Sequence, residues 1–224
     1  MKNTGGSEAA KRRAGEAAAD EVAEGMVVGL GTGSTAAHAI HALGDADVDI
    51  EGVPTSFQSR QRAIEAGIPL TTLEEASVDV AIDGADQVAG GDLVKGGGAA
   101  HAREKLVDAS ADRFVVVADP SKEADALDYP VPVEVLPDAH TVVAERVRDL
   151  GGDPDLRAAE RKDGPVVTDN GNLVLDCAFG RIERPDELAA SLSALPGVLD
   201  HGLFVGMADA VYVGTADGVR VTEP

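Results

Sequence analysis

Two segments of this sequence have residue types and spacing suited to chemistry at a carbonyl group. The first, "VKGGGAAHAREKL" (94–106), sets Lys95 before Gly96, Gly97 and Gly98 and then enters a helical run that carries Glu104. Consecutive glycines bare their N–H groups and remove side chains, so a carbonyl oxygen can rest against the backbone and the following helix N-terminus, with the lysine cation beside it. A carboxylate on the first turns of that helix then faces the adjacent carbon. Base and electrophilic cradle together are what proton abstraction alpha to a carbonyl demands. Taken by itself, the segment reads more simply as a surface loop with Glu104 in a helical charge pattern.

The second segment, "DGAD" (83–86), places Asp83 and Asp86 three residues apart around Gly84 and Ala85 at the end of an apolar strand. Such a pair can hydrogen-bond sugar hydroxyls and pass protons, and it fits equally well an Asx-type turn capping the next segment. A hard cation is a third possibility, but no convincing third ligand is nearby. "GTGST" (31–35) offers Gly31 and Gly33 for close backbone approach to an anion and the hydroxyls of Thr32, Ser34 and Thr35, which suits a single phosphate. It lacks P-loop spacing, and Ser34 stands where the last glycine of a dinucleotide fingerprint belongs. Glu51, twenty residues after Gly31, keeps a nicotinamide-dependent oxidoreductase as a rival reading. The same turn could also simply join a strand to a helix. "PTSFQS" (54–59) and "DPSK" (119–122, ending in Lys122) complete the set.

These segments need elements to position them. A helix is expected at residues 7–24, then a strand before the glycine turn and a helix opening near Ser34 or Thr35. A strand ending near Val53, a helix at 56–66, a short strand at "PLTTL", and strands at "VDVAIDGAD" and "RFVVVADPSK" follow. Strands alternating with helices imply parallel pairing, so residues 1–129 read as an open doubly wound sheet. The segment 130–203 changes character: "YPVPVEVLP", a helix at 139–150, strands near "LRAAE" and "NLVLDCAF" about the turn "TDNGN", a helix at 185–195 and a strand at "GVLDHGLFV". That β-α-β-β-α-β order is ferredoxin-like. Residues 204–224 supply a closing strand and a small hairpin that rejoin the first sheet. In an open parallel sheet ligands sit beyond the carboxyl ends of the strands. Four of the unusual segments fall at such ends, and "KGGG" lies in the excursion between the last two.

Composition narrows the functions. With 224 residues, 44% of them hydrophobic, the chain can bury one large core or a core with a smaller companion. Forty acidic against nineteen basic residues leave a net charge of -21, which repels nucleic acid and anionic membranes. Only six lysines stand against thirteen arginines, so a lysine in a glycine loop is conspicuous. Cys177, the single cysteine, excludes internal disulfides and multi-cysteine metal sites and fits a reducing cytoplasm. No apolar run reaches membrane-spanning length, and the charged, alanine-rich start is unlike a signal peptide. His38 with His41, and His101 with Glu104, have helical spacings that could share a metal but lack further ligands. They are expected to be surface or core-edge histidines.

In order, "GLGTGST", "VPTSFQ", "DGAD", "KGGGAA…REK", "DPSK", "PVEVLP", "TDNGN", "PGV…GLF" and "GTADGV" make the chain resemble ribose-5-phosphate isomerase of type A from about Ala14 to its end. The resemblance implies a Rossmann-like domain with an inserted ferredoxin-like α/β lid, a homodimer or homotetramer, and no metal or nucleotide cofactor. It implies Glu104 as the proton-transferring base. Thr32, Gly33, Ser34 and Thr35, then Asp83, Gly84, Ala85 and Asp86, then Lys95, Gly96, Gly97 and Gly98, and finally Lys122 match the substrate-binding segments. Asp83, Asp86 and Lys95 join Glu104 in the chemistry: aldose–ketose isomerisation of a pentose 5-phosphate through an enediolate. His101 departs from the pattern, since leucine is common there. A sugar-phosphate-binding effector module is the non-catalytic rival. The single helix before the first strand, the acidic balance and the retained Glu104 argue against it.

Overall fold

The computed structural model describes residues 6–224 as two compact units. In chain order the elements begin with α1 (Glu8–Ala19), β1 (Val27–Leu30), α2 (Ser34–Asp45), β2 (Glu51–Pro54), α3 (Phe57–Glu65) and β3 (Val78–Gly84). Next come β4 (Gln87–Ala89), β5 (Asp92–Val94), α4 (His101–Ser110), β6 (Ala111–Ala118), β7 (Val131–Val135), α5 (His140–Asp149) and β8 (Asp153–Leu156). The chain closes with β9 (Leu173–Ala178), α6 (Pro185–Ser193), β10 (Val198–His201), β11 (Leu203–Phe204), β12 (Ala210–Gly214) and β13 (Val219–Thr222).

The larger unit comprises described residues 6–85, Arg103–Glu123 and Gly206–Pro224. Its six-stranded sheet runs β13-β12-β6-β3-β1-β2, parallel except for β13. The central strands are near-continuous apolar runs such as Phe114 to Ala118 and Ala210 to Val213, as burial on both faces requires. The edge strand β13 is mostly exposed and carries Arg220, whose guanidinium pairs with Glu123 at 2.6 Å. A core of Ala14, Ala18, Val28, Leu30, Ala36, Ile40, Val80, Ile82, Val115 and Val117 joins α1 and α2 to this sheet. α3 opens on a reciprocal cap: Ser59 N–H donates to Ser56 Oγ at 3.1 Å and Ser56 N–H to Ser59 Oγ at 3.0 Å. The helix expected over 7–24 ends at Ala19, with Asp20 as its cap. "PLTTL" makes a single parallel bridge from Leu70 to Gly52 where a strand was expected. Pro69 and the turn at 73–75 leave that segment too short to propagate a ladder.

A hydrogen-bonded ion pair secures the chain just after α1. Glu21 accepts from the Tyr212 hydroxyl and, at 3.0 Å, from Arg113 Nε. The Tyr212 hydrogen bond is the main influence holding Glu21 below the ordinary carboxylate range; burial opposes it, and Arg113 adds to it. Burial first, then the bond to Glu21, pushes the Tyr212 hydroxyl up to about 12. The depressed Glu21 contributes stability above its unfolded pKa that is lost as pH falls through its folded value. The raised Tyr212 contributes stability below its unfolded pKa that is lost as pH climbs toward about 12. We therefore expect Glu21→Gln to flatten the fall in Tm as pH drops through and below the ordinary carboxylate range, relative to the parent. Parallel Tm profiles for the two proteins over that range would contradict the linkage.

The smaller unit comprises Asp86–Ala102 and Ala124–Val205. Its four-stranded antiparallel sheet runs β10-β7-β9-β8, and with α5 and α6 gives the β-α-β-β-α-β arrangement expected for 130–203. Val131, Val133, Val135, Leu175 and Cys177 pack with Val143, Val147 and Leu192. Residues 86–102 belong to this unit because β5 pairs antiparallel with β11 in a three-stranded sheet, β11-β5-β4, that the sequence pattern did not reveal. The expected strand at "GVLDHGLFV" breaks at Gly202 into β10 and β11, and the strand expected near "LRAAE" lies a few residues earlier, as β8. "TDNGN" gathers around a buried carboxylate: Thr168 Oγ1, Asn170 Nδ2 and Asn172 Nδ2 donate to Glu134 Oε1 at 2.8, 3.1 and 2.9 Å. Three of the motif's four polar residues are thereby accounted for as structure.

Candidate active site

In the larger unit the register aligns the ends of the parallel strands: Leu30 pairs with Pro54 and Ile82, and Gly84 with Val117. "GTGST", "PTSFQS", the start of "DGAD" and "DPSK" therefore leave one edge of one sheet. The chain passes from β1 outward to β2 and then back across to β3, so the strand order reverses between β1 and β3. In a doubly wound sheet this reversal opens the crevice that takes a ligand.

Asp83 stands at that switch point, fully buried. Its Oδ1 accepts from Thr32 N–H at 2.9 Å and from Gly84 N–H at 2.6 Å, pinning the glycine turn to the neighbouring strand. Gly31 is required there because a Cβ would collide with the Asp83 carboxylate. Thr32 Oγ1 lies 2.8 Å from Thr55 Oγ1 and donates to Ser56 Oγ at 2.7 Å, while Gly33 N–H donates to Gln58 Oε1 at 3.2 Å. "PTSFQS" thus braces the turn that precedes α2. Ser34 is exposed at the first position of α2 and Thr35 is buried behind it. At the end of β6, Asp119 Oδ1 accepts from Ser121 N–H at 2.9 Å, capping the short 3₁₀ turn that ends in the buried Lys122. Glu104, 4% exposed, projects from α4.

In the smaller unit the "KGGG" loop is tightly held. Lys95 N–H donates to Gly202 C=O at 2.8 Å, and the Lys95 side chain, 2% exposed, sets its ammonium 5.3 Å from the centre of the Phe204 ring. Gly97 N–H donates to Asp86 Oδ2 at 2.6 Å. Ala99 N–H closes the turn onto Gly96 C=O at 2.9 Å, with Ala99 itself in the left-handed region (φ 59°), a conformation that costs a non-glycine residue about 1 kcal/mol or more. Gly96 (φ 104°) cannot carry a side chain, since a Cβ would come 2.7 Å from His101 Nδ1, and a Cβ on Gly97 would come 2.6 Å from Asp86 Oδ1. Gly97 N–H is thus committed to Asp86, whereas the N–H groups of Gly96 and Gly98 meet no acceptor among the described residues.

Other sequence candidates fall away from this chemistry. Glu51 opens β2 opposite Val27, exposed and at the far end of the strand from the glycine turn, where it cannot serve a nucleotide ribose. His101 is fully buried, not a surface or edge residue; His38 sits half-buried 3.5 Å from Glu8, and His41 is exposed near Arg62. Burial, reinforced by Asp176, pushes the Cys177 thiol up to about 12, too high for a nucleophile. Among the described residues no three or more His, Cys, Asp or Glu side chains group as metal ligands, and no helix is long and apolar enough to cross a membrane. Sequence reading missed Arg157. Its guanidinium donates to Gly96 C=O at 2.8 Å and Gly97 C=O at 3.4 Å and grips both oxygens of Asp176, a long-range arrangement no local pattern announces.

A doubly wound sheet with an anion-type turn and a buried carboxylate at its switch point, in a chain that also carries a ferredoxin-like unit with a glycine cradle, defines a class of α/β proteins whose ligands sit at that reversal. Residues 51–218 match the family model for ribose 5-phosphate isomerase A (phosphoriboisomerase A). The chain is 72% identical to the ribose-5-phosphate isomerase A of Halobacterium salinarum, over the whole of both chains. The solved ribose 5-phosphate isomerase A of Methanocaldococcus jannaschii superposes with a TM-score of 0.92 at 43% identity, covering 96% of this chain and 98% of that one. A solved D-ribose-5-phosphate isomerase in complex with phospho-erythronic acid gives 0.93 at 42% identity, covering 96% and 97%. The chain belongs to the ribose 5-phosphate isomerase A family.

Proposed function

We propose that this chain interconverts ribose 5-phosphate and ribulose 5-phosphate, with Glu104 as the base that carries the proton between C2 and C1. The observation that carries the reading is Glu104 itself: a carboxylate 4% exposed, near the start of a helix that directly follows the glycine loop. Thr32, Gly33, Ser34, Thr35 and Lys122 hold the phosphate. Asp83 and Asp86 serve ring opening and the hydroxyl protons. Removal of the C2 proton by Glu104 moves the bonding pair into a C1–C2 double bond and places negative charge on the former carbonyl oxygen. Lys95 and the free Gly96 and Gly98 N–H groups stabilise that charge. Return of the proton from Glu104 to C1, with transfer of the hydroxyl proton from O2 to O1, completes the ketose. No electron acceptor is consumed, so no redox cofactor is needed.

The relative solved with phospho-erythronic acid supports the reading, because a carboxylate in place of the reacting carbons resembles the charged enediolate. The enzyme works in the cytoplasm as a homodimer or homotetramer. The test is conversion of ribose 5-phosphate to its ketose in high-salt buffer containing a chelator. Turnover by the parent supports a metal-free isomerase. A folded protein that binds the sugar phosphate without converting it is instead a binding module.

A further inference from the structure

We infer that Arg157 is a positioning residue for this reaction, acting through one peptide group on Asp86 and on the glycine cradle. The inference rests on the roles proposed above for Asp86 and for the loop at 96–98. The geometry is a chain of charge-assisted hydrogen bonds inside the smaller unit. Asp176 Oδ2 accepts from Arg157 Nε at 2.8 Å, and its Oδ1 accepts from Arg157 Nη2. Arg157 Nη1 donates to Gly96 C=O at 2.8 Å. The N–H of that same peptide, on Gly97, donates to Asp86 Oδ2 at 2.6 Å.

Three features make this more than a surface ion pair. First, the Arg157 and Asp176 side chains are only 11% and 19% exposed, so solvent screens the pair weakly. Second, the guanidinium is bidentate on Asp176, which fixes the plane in which Nη1 points; lysine cannot reproduce that fork. Third, a cation on a carbonyl polarises the whole peptide, so Gly97 N–H becomes a stronger donor to Asp86. The second contact of Nη1, 3.4 Å from Gly97 C=O, reaches the peptide whose N–H belongs to Gly98, one of the two cradle amides left free for substrate. Arg157 therefore sets the direction of the Asp86 carboxylate and the strength of a cradle donor without itself meeting substrate.

The test is a double-mutant cycle on purified protein with R157A, R157K, D86N and the D86N/R157A pair, reading kcat and KM for ribose 5-phosphate and Kd for phospho-erythronic acid. R157A is expected to lower kcat by about tenfold to a hundredfold with KM changed less than about threefold. Kd for phospho-erythronic acid should weaken in step with kcat, and added guanidinium ion should restore part of the loss. R157K should recover little. The D86N/R157A pair should be no slower than about twofold below D86N alone, since both changes break one chain. Fully multiplicative effects in the pair overturn the inference. So does R157A turnover within about twofold of the parent per folded molecule, with folded fraction read by circular dichroism at the assay temperature. An inactive parent, or a Glu104→Gln variant that remains active, would instead overturn the proposed function on which the inference rests.

Discussion

Glu104→Gln is expected to lower kcat for ribose 5-phosphate isomerisation by about 10²- to 10⁴-fold, the share a positioned general base supplies, while KM stays within about threefold. Glutamine matches glutamate in volume and hydrogen-bonding reach, so α4 and the core beneath it lose no packing. What disappears is the capacity to accept a proton from C2 and return it to C1. Tm should consequently stay close to that of the parent, because glutamine fills the same 4% exposed position. Glu104→Asp separates position from chemistry: it keeps the base and draws it back by about one methylene, and a displacement of that order costs about a hundredfold in a near-attack geometry. Steady-state kinetics with thermal melts on both variants check this. Near-normal turnover by Glu104→Gln would remove Glu104 from the mechanism.

Lys95→Met has the second-largest expected effect, a fall in kcat on the order of 10²- to 10³-fold, as for loss of one oxyanion-stabilising group. Methionine keeps the length of the stem and its packing near Phe204 and deletes only the ammonium. Thermal melts of the same variant read what the ammonium contributes to stability. Loss of activity without loss of stability distinguishes a lysine kept for chemistry from one kept for packing. A Lys95→Met variant that melts many degrees lower and retains its kcat would assign Lys95 to structure.

Which parts were readable in the sequence follows from what local pattern encodes. Valine-dense runs before "DGAD" and "DPSK", and glycine or hydroxyl turns after short apolar runs, report strand ends directly; the parallel register then places those turns on one sheet edge. The ferredoxin-like order was equally legible, since each of its strands and helices carries its own period and punctuation. β4 and β5 escaped because three-residue strands hold no measurable alternation and depend on pairing with β11, more than a hundred residues away. "PLTTL" misled for the opposite reason, a local strand preference that tertiary pairing did not extend past one bridge. Asp83 and Asp86 were readable as a pair, yet their separate anchoring roles, on Thr32 and on Gly97, depend on tertiary placement that no local pattern encodes. Arg157 was invisible for the same reason: its partners Gly96 and Asp176 lie on other elements, and an arginine beside a strand has many ordinary uses. His101 read as a surface or core-edge residue because helical periodicity cannot show that Gly96 folds back over it.

The most direct test of the central claim is to run the isomerisation of ribose 5-phosphate in D2O with chelator present and follow hydrogen content at C1 and C2 by NMR, for the parent and for Glu104→Gln. Because Glu104 returns the proton it removed in competition with exchange against solvent, partial deuterium is expected at C1 of the ribulose 5-phosphate product and at C2 of recovered ribose 5-phosphate, with turnover and both signals lost in the variant. Product formed at full rate by Glu104→Gln, or exchange that persists undiminished without Glu104, would contradict its role as the base.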